Sequence, residues 1–123
     1  MAGEPILIVD DNATNLKLAV VLLQSEGFAV RTAEDAEQAL QLLASYRPRL
    51  ILMDIQLPGM DGLTLTRRLR ADVRFRDLKI VALTAYAMKG DEEKALAAGC
   101  DAYVSKPIDT DSMLSIVTDL LRR

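Results

Sequence analysis

Leu50-Ile51-Leu52-Met53-Asp54 is the stretch that decides the fold. A continuous apolar run ending on a carboxylate reads as a short parallel strand covered on both faces. Pro48 stops the helix before it, and the turn-rich Leu57-Pro58-Gly59-Met60-Asp61-Gly62 follows. Working outward, the same alternation recurs. Ile6-Leu7-Ile8-Val9 is a first strand. Leu16, Ala19, Val20 and Leu23 repeat at helical spacing from about Asn15, and Gly27 stands where a C-terminal cap belongs. Phe28-Ala29-Val30 reads as a second strand. Thr32 and Asp35 have capping-box spacing ahead of a helical face of Ala36, Ala39, Leu40 and Leu43.

Downstream of the central stretch, Leu65 and Leu69 mark the inner side of a helix. Ile80-Val81-Ala82-Leu83 is a fourth strand, and Glu92 to Ala98 a short helix with acidic residues at its start and Gly99 at its end. Ala102-Tyr103-Val104 is a fifth strand. A last helix starts near Asp109 or Thr110 and turns Met113, Ile116, Val117, Leu120 and Leu121 inward. Strands alternating with helices through short connections predict an α/β fold, a parallel sheet with helices on both faces. With no linker, repeat or low-complexity segment, residues 1–123 are expected to form one domain.

Composition narrows the function. The chain is 50% hydrophobic and 27% charged, ordinary for a globular protein. No apolar run reaches the roughly 18–20 residues of a membrane span, and Met1-Ala2-Gly3-Glu4-Pro5 lacks the basic flank of a signal peptide. Cys100 is the single cysteine. Together these point to the cytoplasm and away from membranes. A net charge of −3 argues against a nucleic-acid partner. Arg67, Arg68, Arg70, Arg74 and Arg76 form a local basic cluster, read as the solvated face and end of a helix. Cys100 reads as a small packing residue. The absence of histidine removes serine-hydrolase triads, His-ligated zinc and imidazole acid–base chemistry.

The strand ends carry the chemistry. In an open α/β sheet, ligands bind outside the carboxyl ends of the strands. Strand one runs into Asp10-Asp11, strand three into Asp54, strand four into Thr84, and strand five into Ser105-Lys106-Pro107. Asp10 or Asp11 alone would serve as a helix N-cap, and Asp54, Thr84 and Lys106 each have ordinary roles available. Their joint position on one edge points elsewhere. Neighbouring carboxylates need a counter-charge, and oxygen donors without His or Cys select Mg²⁺, with Mn²⁺ as an alternative. A metal and a lysine facing a nucleophilic oxygen is a layout for phosphoryl transfer. Asp54, ending the most buried strand, is the natural acceptor.

Val9-Asp10-Asp11-Asn12, the segment Met53–Gly62, Leu83-Thr84-Ala85 and Tyr103-Val104-Ser105-Lys106-Pro107 together resemble the receiver domains of two-component response regulators. The resemblance covers nearly the whole chain. It implies a five-stranded, doubly wound sheet of flavodoxin-like order. It also implies that Asp54 is phosphorylated from a histidine kinase or phosphotransfer protein, the chain being a signalling phosphoacceptor rather than an enzyme. By the same likeness Asp11, Asp54 and the Gln56 carbonyl would ligate Mg²⁺, and Asp10 would act through a water on the metal. Thr84 and Lys106 would contact phosphoryl oxygens, and Pro107 would follow a cis peptide bond. Tyr103 would be the switching aromatic on the face of helix four, strand five and helix five. Gln56 and Tyr86 would tune the lifetime of the aspartyl-phosphate.

Other readings are weaker. A phosphohydrolase of the haloacid-dehalogenase type needs a second Asp two residues after its nucleophile, where Gln56 stands. A flavin-binding module needs a phosphate cradle after strand one, where Asp10-Asp11 would repel it. Within the receiver class, a free-standing monomer or weak dimer is expected. A segment of a hybrid kinase or multidomain regulator is the alternative. Thr84-Ala85-Tyr86-Ala87-Met88 resembles cell-cycle and developmental phosphorelay proteins more than chemotaxis regulators.

Overall fold

Five parallel strands pair in the order β2-β1-β3-β4-β5. The structure is a computed structural model that describes residues 3–84, 90–105 and 110–122. In chain order the elements are β1 (Pro5–Val9), α1 (Ala13–Ser25), β2 (Ala29–Ala33), α2 (Ala36–Leu43) and β3 (Leu50–Asp54). Then come α3 (Gly62–Arg70), a 3₁₀ turn (Val73–Phe75), β4 (Lys79–Thr84), α4 (Asp91–Ala98), β5 (Ala102–Ser105) and α5 (Thr110–Leu121). The expected doubly wound α/β architecture is present. Among the described residues no helix is long and apolar enough to cross a membrane.

Strand alternation divides the interior into two cores. Side chains along a strand point to opposite faces in turn. Leu7, Val9, Ile51, Met53, Ile80 and Ala82 therefore pack under α2, α3 and α4. Ile6, Ile8, Leu50, Leu52, Val81 and Leu83 meet Ala19 and Leu23 of α1 and Met113 and Val117 of α5. Every residue of β3 is buried, as its unbroken apolar run requires. β2 is one of the two edge strands, mostly exposed along its length, and it carries polar Arg31 and Thr32. Their polarity hid the strand from the apolar pattern, which stopped at Val30. A polar edge also discourages pairing with a further strand.

The helix ends follow local chemistry, one as expected and one not. The C-terminus of α1 closes through Gly27 at φ 90°, with Gly27 N–H to the Gln24 carbonyl at 3.0 Å and Phe28 N–H to the Leu23 carbonyl at 3.1 Å. This double bond across a left-handed glycine satisfies two carbonyls that the helix leaves open. The cap of α2 is Asp35, not Thr32. Its side chain accepts the Gln38 N–H at 2.8 Å, and the Gln38 side chain accepts the Glu34 N–H at 2.9 Å. Thr32 instead belongs to β2.

Arg70 corrects the reading of the arginine cluster as uniformly solvated. Arg67, Arg68 and Arg76 are exposed, and Arg74 pairs with Asp72 at 2.7 Å. Arg70 turns inward. Its guanidinium donates to the carbonyls of Gly99 at 2.8 Å and Leu78 at 2.6 Å and to the Asp101 carboxylate at 2.7 Å. Asp101 in turn accepts the Ile80 N–H at 2.8 Å. One side chain thus ties the end of α3 to the start of β4 and to the turn between α4 and β5.

Candidate functional site

Two strands flanking the point where the chain order reverses deliver the acids. β1 leads to β2 on one side and lies beside β3 on the other, and such a reversal opens a crevice at the strands' carboxyl ends. Asp54 is the last residue of β3, opposite Leu83. Asp10 follows β1 directly, and its N–H still donates to the Ala33 carbonyl at 3.1 Å. Asp10, Asp11 and Asp54 each offer a carboxylate oxygen, all within 4.8 Å of one another. Asp10 and Asp54 are 1% and 4% exposed, whereas Asp11 faces solvent.

Main-chain donors fix the two buried acids. Asn12 N–H donates to Asp10 Oδ1 at 2.9 Å, and Gln56 N–H donates to Asp54 Oδ1 at 2.9 Å. The cap of α1 is Asn12, whose side chain accepts the Asn15 N–H at 3.0 Å. Helix capping is therefore not what holds Asp10 and Asp11 in place. Two carboxylates 4.8 Å apart repel by about 3 kcal/mol at an effective dielectric constant of about 20. A shared cation removes that penalty. Oxygens bound to one Mg²⁺ at about 2.1 Å stand at most about 4.2 Å apart. Oxygens within 4.8 Å of one another lie near that spacing, so the donor set fits such an ion.

Thr84, fully buried, ends β4 opposite Ser105, and Tyr103 lies opposite Ala82. Strand alternation puts Thr84 and Tyr103 on the face covered by α4. Tyr103 is half-buried. Desolvation pushes its phenol above the usual value, the Asp91 and Glu92 carboxylates push the same way, and hydrogen bonds with Thr84 and Ser105 oppose them. The threonine at the acid cleft and the aromatic facing α4 are thus in direct contact. The Gln56 side chain is exposed, and its main chain reaches the site through the bond to Asp54. Lys106, Tyr86 and Pro107, singled out in the sequence, lie outside the described residues.

Gly62 is a site residue that the sequence reading passed over as part of a turn. It opens α3 after the Asp61 cap, which accepts the Thr64 N–H at 2.8 Å. A Cβ on Gly62 would stand 2.4 Å from the Asp54 carbonyl oxygen and 2.7 Å from Ile55 Cα. Only a glycine lets α3 begin against the backbone at the end of β3. The aspartate-glycine pair was legible; what lay behind it was not.

Known proteins share this arrangement. The response regulator receiver domain model matches residues 6–118. The polar-differentiation response regulator DivK of Brucella anthropi is 41% identical over 116 residues, 94% of each chain. The receiver domain of the Pseudomonas aeruginosa sensor histidine kinase PA1611, solved with magnesium in its active-site cleft, superposes with a TM-score of 0.90 at 37% identity. That alignment covers 99% of this chain and 100% of the other. A CheY-like receiver domain protein of Methanospirillum hungatei gives 0.89 at 30%, over 98% and 95%. The match runs from the first strand into the last helix and takes in each acid of the cleft, and the chain belongs to the response regulator receiver domain family of two-component signalling.

Proposed function

We propose that Asp54 accepts a phosphoryl group from a phosphohistidine, carried by a histidine kinase or a phosphotransfer protein, in a step that requires Mg²⁺. The single observation behind this is the convergence of Asp10, Asp11 and Asp54 at the carboxyl ends of β1 and β3. Asp11, Asp54 and the Gln56 carbonyl would hold the cation, with Asp10 beside them. When bound, the ion offsets the charge of the acids and of the incoming phosphoryl group. Asp54 forms the new O–P bond as the N–P bond breaks, and the electron pair returns to the donor imidazole. The Gln56 N–H on Asp54 Oδ1 keeps the carboxylate aimed. Thr84 donates its hydroxyl to one phosphoryl oxygen and Lys106 pairs with another. Tyr86 and Gln56 govern how readily water reaches the product.

Output follows from the Thr84–Tyr103 contact. Drawing Thr84 toward a phosphoryl oxygen withdraws a hydrogen-bond partner from Tyr103, and the ring resettles against the helix four, strand five and helix five face. This is a population shift driven by contacts that only the phosphorylated state makes. The DivK relatives, at 41% identity, support a response regulator as the first reading. The receiver of a sensor histidine kinase at 37% identity favours the second reading, a receiver within a hybrid kinase.

The test incubates wild type and Asp54→Asn with acetyl phosphate and Mg²⁺ and reads intact mass. Wild type gains one labile phosphoryl group; Asp54→Asn and an EDTA-treated sample do not. Equal modification of the Asn variant would overturn the assignment.

A further inference from the structure

At the end of the sheet away from Asp54, a cleft of ≈ 620 Å³ opens between the segments entering β3 and β4 and the end of α5. Its charge is lopsided. Arg47, Arg49, Arg74 and Lys79 line it against a single carboxylate, Asp77. Asp72 occupies Arg74 through hydrogen bonds of 3.1 and 2.7 Å. Asp72 also acts on Arg47, so Arg47, Arg49, Arg74 and Lys79 stand against two carboxylates, Asp72 and Asp77, an excess of two positive charges among the described residues. In a chain of net charge −3, such a local excess is not a by-product of composition.

The cations are also pre-positioned. The guanidinium carbons of Arg47 and Arg74 stand 5.0 and 5.2 Å from the centroid of the Phe75 ring, which holds both at the cleft wall. Arg47 donates to the Leu43 and Tyr46 carbonyls, and Arg49 donates to the Leu121 carbonyl at 3.0 Å. These anchors use part of the five N–H donors that each guanidinium carries. Among the described residues Lys79 makes no ion pair. Leu78 and Leu121 add apolar lining. Fixed guanidiniums, an unpaired ammonium and an apolar wall, in a cavity of small-molecule size, suit a dianion with an organic part.

We propose that this cleft binds a phosphate-bearing small molecule of nucleotide size. The site is distinct from the phosphoryl-accepting one: the five residue steps of β3 from Arg49 to Asp54 separate them by about 16 Å.

The experiment titrates ADP, pyrophosphate and adenosine into EDTA-treated Asp54→Asn protein and follows backbone amide shifts, so the acceptor site does not compete. ADP is expected to saturate shifts at Arg49, Lys79 and Leu121, and adenosine is not. ADP binding tighter than pyrophosphate supports the organic ligand; equal binding overturns it in favour of an inorganic anion. Lys79→Gln, which disturbs no anchor of the fold, weakens ADP by about tenfold, and Arg47→Gln weakens it further. The proposal is overturned if neither phosphate saturates these amides by about 5 mM, a threshold near the weakest measurable affinities. It is equally overturned if Lys79→Gln and the Arg47→Gln, Lys79→Gln pair bind ADP as the parent does.

Discussion

Replacing Gly62 by alanine tests whether the end of β3 and α3 are packed as tightly as the structure has them. The new methyl would lie 2.4 Å from the Asp54 carbonyl oxygen, 2.7 Å from Ile55 Cα and 3.1 Å from the Asp54 carbonyl carbon. All three neighbours are backbone, so no side chain can swing aside. Ordinary contact begins near 3.4 Å, so the two segments must part by about 1 Å. Gly62 is not among the positive-φ glycines, so the penalty is steric and not dihedral. Overpacking of this kind costs about 1–3 kcal/mol. Alanine's better helix propensity returns at most about 1 kcal/mol. The net expectation is a loss of about 1–2 kcal/mol in urea unfolding. Because the displaced atoms carry Asp54, the rate of phosphorylation by acetyl phosphate should also fall by about 10–100-fold. Gly59→Ala is the control. It sits at φ +74° with nothing within 4 Å, so it costs about 1 kcal/mol of backbone strain and leaves the phosphorylation rate alone. A Gly62→Ala protein that unfolds and accepts phosphoryl groups like wild type would refute the close approach.

Three further outcomes follow from contacts described above. Arg70→Met removes the donor shared by Gly99, Leu78 and Asp101 and should destabilise by about 2–4 kcal/mol; Arg70→Lys, lacking the fork, should recover little of it in urea melts. Asn12→Ala should cost about 1 kcal/mol as a lost cap, whereas Asp11→Asn should leave stability in EDTA equal or higher and abolish the Mg²⁺-dependent rise in melting temperature. The Cys100 thiol is raised above its usual value by desolvation, with Thr66 and Arg70 opposing and Asp101 adding to the rise. A raised acid favours the folded state below its unfolded pKa and loses that advantage as pH climbs through the folded value. Stability should therefore decline above about pH 9, less so in Cys100→Ala, and thiol reagent should label Cys100 only on unfolding.

Legibility differed from residue to residue for physical reasons. β3 and its terminal Asp54 could be read directly, because a strand buried on both faces has no polar position to confuse the pattern. The coming together of Asp10, Asp11 and Asp54 followed from strand ends on one edge once β1 lies beside β3, an order that only the resemblance to receiver domains implied. The cap of α1 was sought at Asp10 or Asp11, but Asn caps as well as Asp and the path of the chain selects Asn12. Nor could the inward turn of Arg70 be told from its neighbours. Five chemically identical side chains are separated only by what lies opposite, here Leu78, Gly99 and Asp101, up to 31 positions along the chain. The short turn at Val73–Phe75 has too few residues to show a period.

The burial of β3 has a dynamic consequence. Its amides are laddered to β1 on one side and β4 on the other, and no residue of it touches solvent appreciably. Hydrogen exchange at Met53 and Asp54 then has no local route and must wait for the whole domain to open. On the proposed function the accepting carboxylate, Asp54, would then sit on the strand expected to exchange slowest, and the output would have to leave through the rim around it.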